Sequence, residues 1–201
     1  MRLLLFALLI IATVQSRADC ECLWQGSFAD VQHSADLVVS GTVIAGKGNS
    51  IDLSIDQLLR GKASLPDVRI WLKALDYCRP EAEKFPIGSQ WVMALHKINV
   101  NVPGGFNPNT PNISYGRIGD FQLSNCGGYW LSQTGDRVTG NLVNAPRWER
   151  DPKMTPVLLD LIAKFVNGEI DNRALLTASR EDPAVRELML DTKAFLRGDE
   201  E

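Results

Sequence analysis

Two cysteines one residue apart, Cys20 and Cys22 in the stretch ADCECLWQGSF, follow closely on an apolar N-terminal run and limit what this chain can fold into. In extended chain the side chains of residues i and i+2 point the same way, so this pair is poorly placed to close on itself. Each needs its own distant partner, and Cys78 and Cys126 are the other two cysteines. Four cysteines allow three connectivities. With Cys20–Cys22 set aside, either 20–78 with 22–126 or 20–126 with 22–78 remains. Both staple the N-terminal segment onto the body of the fold. A bridge closing a loop of about 60 residues contributes about 4 kcal/mol in the chain-entropy account. A zinc site fits the pattern poorly, because C-x-C lacks the C-x-x-C spacing and the histidines number two, His33 and His96.

The residues before the cysteines indicate the compartment. Leu3–Val14 is an apolar run of 12 residues, short for a bilayer span but suited to a signal-peptide core. Ser16 and Ala18 supply the small residues a signal peptidase reads, so residues 1–18 are expected to be removed after Ala18, leaving no stable membrane anchor. Asp19 ahead of Cys20 argues against lipoprotein processing. The mature chain would carry 19 basic and 24 acidic residues, a net charge of −5, with no basic patch to recruit nucleic acid. An even cysteine count in an exported chain reads as two disulfides in an oxidising compartment, secreted or periplasmic. The remaining length, about 180 residues, suits one domain or one domain with an appendage.

Ser27–Ala35 predicts a short helix with Ser27 as N-cap and Phe28, Val31 and Ala35 on one face. DLVVSGTVIAG reads as a buried strand interrupted by Gly41. Ile51, Leu53 and Ile55 alternate with Asp52, Ser54 and Asp56, a strand with one wet face. DVRIWLKAL alternates likewise, with Trp71 opposite Ile70 and Leu72, and SQWVMALHKI is a fourth strand. Residues 99–112 form a Gly-, Pro- and Asn-rich loop that ends in a glycosylation sequon at Asn112. Extended character resumes up to Cys126, and TGD centres a hairpin. Thr155, Pro156, the stripe Leu158, Leu159, Ile162, Phe165 and Val166, and the stop Asn167-Gly168 predict a helix; DPAVRELMLDTKAFLRG predicts another and DNRALLTAS a shorter one. The expected division is a β-rich body over 19–146 and a helical extension over 147–201.

In order and spacing the chain resembles the netrin-like superfamily, and within it the tissue inhibitors of metalloproteinases. The resemblance runs through Cys20-Glu21-Cys22, a short helix, the strand SADLVVSGTVI, a strand ending at Lys62, the third cysteine in ALDYCRP, the strand from Gly88 to Val92, and the fourth cysteine in FQLSNC. It covers residues 20 to about 130. It implies a β-rich α+β fold: a five-stranded, closed barrel of the oligonucleotide/oligosaccharide-binding (OB) type with a short N-terminal helix and C-terminal helices. It also implies the pairing Cys20–Cys78 and Cys22–Cys126. In those inhibitors the free amine and carbonyl of the first cysteine chelate the protease zinc and the next side chain enters the substrate pocket. Carried over, Cys20 is the chelator, Glu21 the pocket residue and Cys22 the second staple. The chain departs from the pattern in three respects. Asp19 precedes Cys20, Glu21 is charged where those inhibitors have a small residue, and Trp24 to Asp36 holds no further cysteine.

Nothing in the sequence assembles an enzyme. His33 and His96 lack a nucleophile motif, CGGYW is not a nucleophile elbow, and GKGN lacks phosphate-loop spacing. Trp24, Trp71, Trp91, Trp130 and Trp148 are read mainly as packing residues, with Trp71 a candidate for the outer face. The expectation is therefore a secreted or periplasmic, non-catalytic protein, without a cofactor or intrinsic metal, that binds a protein partner through the ridge Cys20, Glu21 and Cys22 and neighbouring loops including 99–112, with metalloprotease inhibition as the sharp version. Its partner would be a zinc metalloprotease or another extracytoplasmic protein. The alternative is an envelope structural or small-ligand module of OB type.

Overall fold

The structure, a computed structural model, describes residues 20–74, 77–100, 114–143 and 156–179. Eight strands follow in chain order: β1 Leu37–Lys47, β2 Ser50–Arg60, β3 Asp67–Trp71, β4 Gln90–Lys97, β5 Phe121–Gln122, β6 Trp130–Thr134, β7 Arg137–Gly140 and β8 Val157–Leu158. Three helices accompany them, α1 Phe28–Val31, α2 Leu159–Val166 and α3 Asn172–Ala178.

The first five strands close a mixed barrel in the order β1-β2-β3-β5-β4, with β4 returning to β1. Only β3 and β5 run parallel within it, Ile70 opposite Phe121 and Trp71 opposite Gln122. Closure depends on β1, which pairs β2 along one edge and β4 along the other. Its eleven residues curl because three irregularities interrupt its register with β2, and bulges bend and twist a strand. Gly41 lies at one of them, and a Cβ there would stand 2.4 Å from the Ser54 carbonyl oxygen. A strand that bends this closely over its neighbour has room only for glycine. The alternation in β2 behaves as expected, with Ile51 and Leu53 buried and Asp52 and Ser54 half-exposed.

β4 divides its outer edge. Its last residues pair β5 and close the barrel, while Gln90–Met93 pair β6 and start the meander β6-β7-β8. The turn between β6 and β7 is Gly135-Asp136, as the TGD signal predicts, with Gly135 at φ 60°. The apolar residues form one contiguous core reaching from Phe28 on α1 through the strands to Ile162 and Phe165 on α2 and Leu175 on α3. The α2 stop is a Schellman motif: the Gly168 N–H donates to the Phe165 carbonyl and the Glu169 N–H to the Lys164 carbonyl, with Gly168 at φ 76°.

Three expectations need correction. The helix predicted from Pro156 begins at Leu159 instead, because Val157 and Leu158 extend along the edge of β7 as β8. Pairing with an open sheet edge there outweighs helical periodicity, and Leu158 is left 44 % exposed rather than in the stripe. The extended run before Cys126 condenses to two strand residues, since the chain from Ser114 to Asp120 turns over the end of the barrel. Trp71 does not present a stacking face. Its Nε1 donates to Asp120 at 2.8 Å, and the ring is 5 % exposed. Most of the 99–112 loop, the Asn112 sequon, Trp148, Thr155, residues 1–18 and the helix predicted over 182–198 lie outside the described residues.

Gly41→Val should lower stability by about 2 kcal/mol or more through overpacking against backbone that cannot move aside. Urea unfolding would register this as a lower midpoint at unchanged slope, and an unaltered midpoint would refute the close-approach account.

Candidate functional site

The site is built on the extended residues Cys20–Gln25, which no strand of the barrel pairs along their length. Cys20 is bonded to Cys78, on the segment after β3, and Cys22 to Cys126, just after β5. This is the pairing the netrin-like resemblance implies. The Cα atoms stand 5.1 and 5.7 Å apart and the bridges span 58 and 104 residues of sequence, both within the ordinary range for a disulfide. All four Sγ atoms lie within 4.8 Å of one another.

Period-two geometry then sorts the side chains. Cys20, Cys22 and Trp24 turn toward the body and are half-buried, whereas Glu21, Leu23 and Gln25 turn outward. Leu23 is 86 % exposed, the highest value among the large apolar side chains of the described residues. The segment is a ridge in which each outward residue is held by an anchored neighbour. A groove of about 520 Å³ runs beside it, lined by residues 20–24 with Asn125 and Cys126.

Hydrogen bonds hold the last residue of the ridge, and join the segments around it, independently of sulfur. The Gln25 N–H donates to the Cys126 carbonyl at 2.8 Å, and the Asn125 N–H to the Cys78 carbonyl at 2.8 Å. The Tyr129 hydroxyl donates to Gln25 Oε1 at 2.6 Å. The Gly128 N–H donates to the Gly26 carbonyl, and the Phe28 and Ala29 N–H groups donate to the Asn141 and Leu142 carbonyls. Ser27 opens α1 by donating both its N–H and its Oγ to Asp30 Oδ2, at 2.8 and 2.6 Å, so the Asp30 carboxylate satisfies the N-cap backbone donor. Thus the ridge leads directly into a capped helix whose first donors bond the chain after β7.

The sequence carried signals for this that pattern reading passes over. Gly127-Gly128, set aside as no nucleophile elbow, is needed for close approach: a Cβ on Gly128 would stand 2.6 Å from the Phe28 nitrogen and 2.7 Å from the Asn141 oxygen. Asn49, the last residue of the GKGN stretch, is a buried clamp. Its Nδ2 donates to the Leu72 and Ser114 carbonyls and its Oδ1 accepts from the Ser114 N–H. Asn141 was not singled out at all. It is 3 % exposed, its Oδ1 and Nδ2 have no partner, and it lines a 10 Å³ cavity behind Trp24 and Trp130, room for about one water.

The titratable groups nearby do not form an acid–base pair. His33 is exposed on the turn after α1. His96 lies on β4, edge-on to Tyr129 with ring centroids 5.2 Å apart. Burial pushes its pKa below the ordinary 6.5, more than the carboxylate of Asp36 raises it. Arg79, next to Cys78, is pushed down to about 10 by burial while it donates to the Tyr115 carbonyl and to Gln122 Oε1 and lies over the Tyr77 ring. Its role is to fasten the 77–79 segment to the strand it crosses.

Compared with protein-family models, curated proteins and solved structures, the chain matches none.

Two measurements check this construction. Replacing Cys22 and Cys126 together by alanine removes the 104-residue loop closure and should cost about 4 kcal/mol; a loss under about 1 kcal/mol would mean that the bridge adds little to the hydrogen bonds. Because the folded pKa of His96 is depressed, the unfolded chain takes up that proton first as pH falls. His96 therefore favours the fold above about pH 6.5 and weakens it on acidification below that value. His96→Gln should flatten the fall in urea midpoint between pH 7 and pH 5.

Proposed function

We propose that this chain is an exported, non-catalytic binding protein that offers the Cys20–Gln25 ridge to a protein partner, in the manner of the netrin-like inhibitors it resembles. The observation that carries this reading is the ridge itself: six extended residues, bridged at two of them and hydrogen-bonded at Gln25, present Glu21 and Leu23 outward beside an open groove. Ordering such a segment on binding would ordinarily oppose affinity, and covalent pre-ordering removes most of that cost. Two bridges also fit an exported chain in an oxidising compartment.

The specific form of the proposal is inhibition of a zinc metalloprotease. Cleavage after Ala18 leaves Asp19 acylating the Cys20 nitrogen, so this form requires removal of Asp19 as well; the free α-amine beside the carbonyl of Cys20 then makes a five-membered chelate that can displace the zinc-bound water, which is the attacking group of such enzymes. Glu21 then faces the protease subsite. A carboxylate entering an apolar pocket is costly unless it meets a cation, so the preferred protease is one with a basic or wet subsite. Leu23 supplies the adjoining apolar contact.

A second reading has its own observation. A groove of about 340 Å³ lies across the barrel wall, where Lys62, Arg69, Lys97 and Arg117 meet Asp52, Asp67 and Asp120. Arg69 is committed to Asp52, at 2.7 Å through both carboxylate oxygens. This groove suits a small ligand with an anionic group, as an OB-type ligand module would bind.

The experiment is an inhibition assay against a panel of zinc proteases, run with protein whose first residue is Cys20 and with protein that keeps Asp19. Protein beginning at Cys20 should inhibit at least one member, and Asp19 should weaken inhibition about a hundredfold or more, since an acylated nitrogen is a poor zinc ligand. Equal inhibition by both forms would remove the chelation mechanism. No inhibition by either, with quenching of tryptophan fluorescence by a small sulfated sugar, would favour the groove instead.

A further inference from the structure

We propose that reduction of the two bridges turns the ridge cluster into a tetrathiolate site for one zinc-class ion. The sequence argues against a metal because it lacks paired C-x-x-C spacing, but spacing along the chain is not what sets the site. Three separate segments deliver the sulfurs: the ridge supplies Cys20 and Cys22, the chain after β3 supplies Cys78, and the chain after β5 supplies Cys126. All four Sγ atoms fall within 4.8 Å of one another. A tetrahedral ion with Zn–S bonds of about 2.3 Å sets its sulfurs about 3.8 Å apart. The cluster therefore reaches tetrahedral ligation through side-chain movements of about 1 Å, and four thiolates in that geometry select zinc over harder cations.

A second observation is independent of the sulfurs. The three segments are also joined without sulfur, through the Gln25 to Cys126 and Asn125 to Cys78 backbone hydrogen bonds and the Tyr129–Gln25 contact. Reduction leaves these groups chemically unchanged, so they would hold Cys78 beside Cys126 and keep the end of the ridge, three residues beyond Cys22, next to them. Cys20, Cys22 and Cys78 are also half-exposed, open to both a reductant and an ion.

The chemistry balances. Each bridge accepts two electrons and two protons, giving two thiols, while a dithiol reductant closes to its own disulfide; two equivalents open both bridges. Coordination by four thiolates then releases four protons to solvent. Oxidation by a small disulfide such as oxidised glutathione expels the ion and restores both bridges. The same cluster would thus hold the ridge by metal before oxidation and by sulfur–sulfur bonds after it.

The test uses full-length protein reduced with a trialkylphosphine under argon, with Co(II) as the spectroscopic probe and circular dichroism recorded in the same cuvette. We expect saturable binding at one ion per chain, strong thiolate-to-cobalt charge-transfer bands with tetrahedral visible bands, bleaching by Zn(II), and no colour with oxidised protein. The reduced chain in guanidinium should bind at least a hundredfold more weakly. The Cys22→Ser/Cys126→Ser protein, which keeps the Cys20–Cys78 bridge until reduction, should lose the tetrathiolate spectrum. Zinc should slow reoxidation by oxidised glutathione several-fold. Absence of charge-transfer bands, equal affinity in guanidinium, an unchanged spectrum in the double serine protein, or a fold lost on reduction that cobalt does not restore would each overturn the proposal.

Discussion

Two covalent ties at alternate positions of one extended segment are the constraint on which the functional architecture depends. A single bridge would fix a point and leave the segment free to swing about it. Two bridges separated by one residue fix a line and a facing direction, so that Glu21 between them and Leu23 beyond can only point outward. The anchors are far apart in sequence, after β3 and after β5, but β3 and β5 are the neighbouring parallel pair of the barrel. The chain leaving each strand is joined where the Asn125 N–H donates to the Cys78 carbonyl, and the ridge is mounted on the seam beyond the parallel pair.

The same seam explains how the rest of the chain is arranged. The Cys126 carbonyl, Gly127 and Gly128 receive the end of the ridge and the start of α1, and the two glycines are required because backbone passes over backbone there. Tyr129 continues from this junction to Gln25 above and His96 on β4 beside it. Ridge, helix and barrel thus meet in one hydrogen-bonded junction, in which the apolar core supplies stability and the bridges supply direction.

Much of the barrel was legible in the sequence because β2 and β3 carry period-two alternation, β4 is a continuous apolar run, and the TGD turn marks the β6–β7 hairpin. α3 was legible as the shorter helix in DNRALLTAS, and its N-cap bond is donated by the Ala174 N–H to Asp171 Oδ1. What was not legible is what arises only between distant segments. β8 depends on an open edge of β7, which no local pattern encodes. Trp71 sits on the outer face of its strand, yet the returning 114–120 segment covers it and Asp120 takes its indole N–H. For the site, the C-x-C spacing conveyed that each cysteine needs its own partner but left two pairings open. The resemblance to netrin-like inhibitors implied one of them. The gathering of all four sulfurs, the glycine crossing and the unpartnered Asn141 amide follow from tertiary geometry alone.

The account is tested most directly by mapping the bridges in natural, oxidised protein. Glu21 separates Cys20 from Cys22, and Lys47, Arg60 and Lys73 separate Cys22 from Cys78, so a glutamate-specific protease combined with trypsin, with free thiols blocked beforehand, followed by mass spectrometry without reduction, distinguishes the pairings. We expect a fragment ending at Glu21 joined through Cys20 to the Cys78 peptide, and a fragment beginning at Cys22 joined to the Cys126 peptide. Cys20 joined to Cys126, Cys20 joined to Cys22, or free thiols at all four positions would contradict the account.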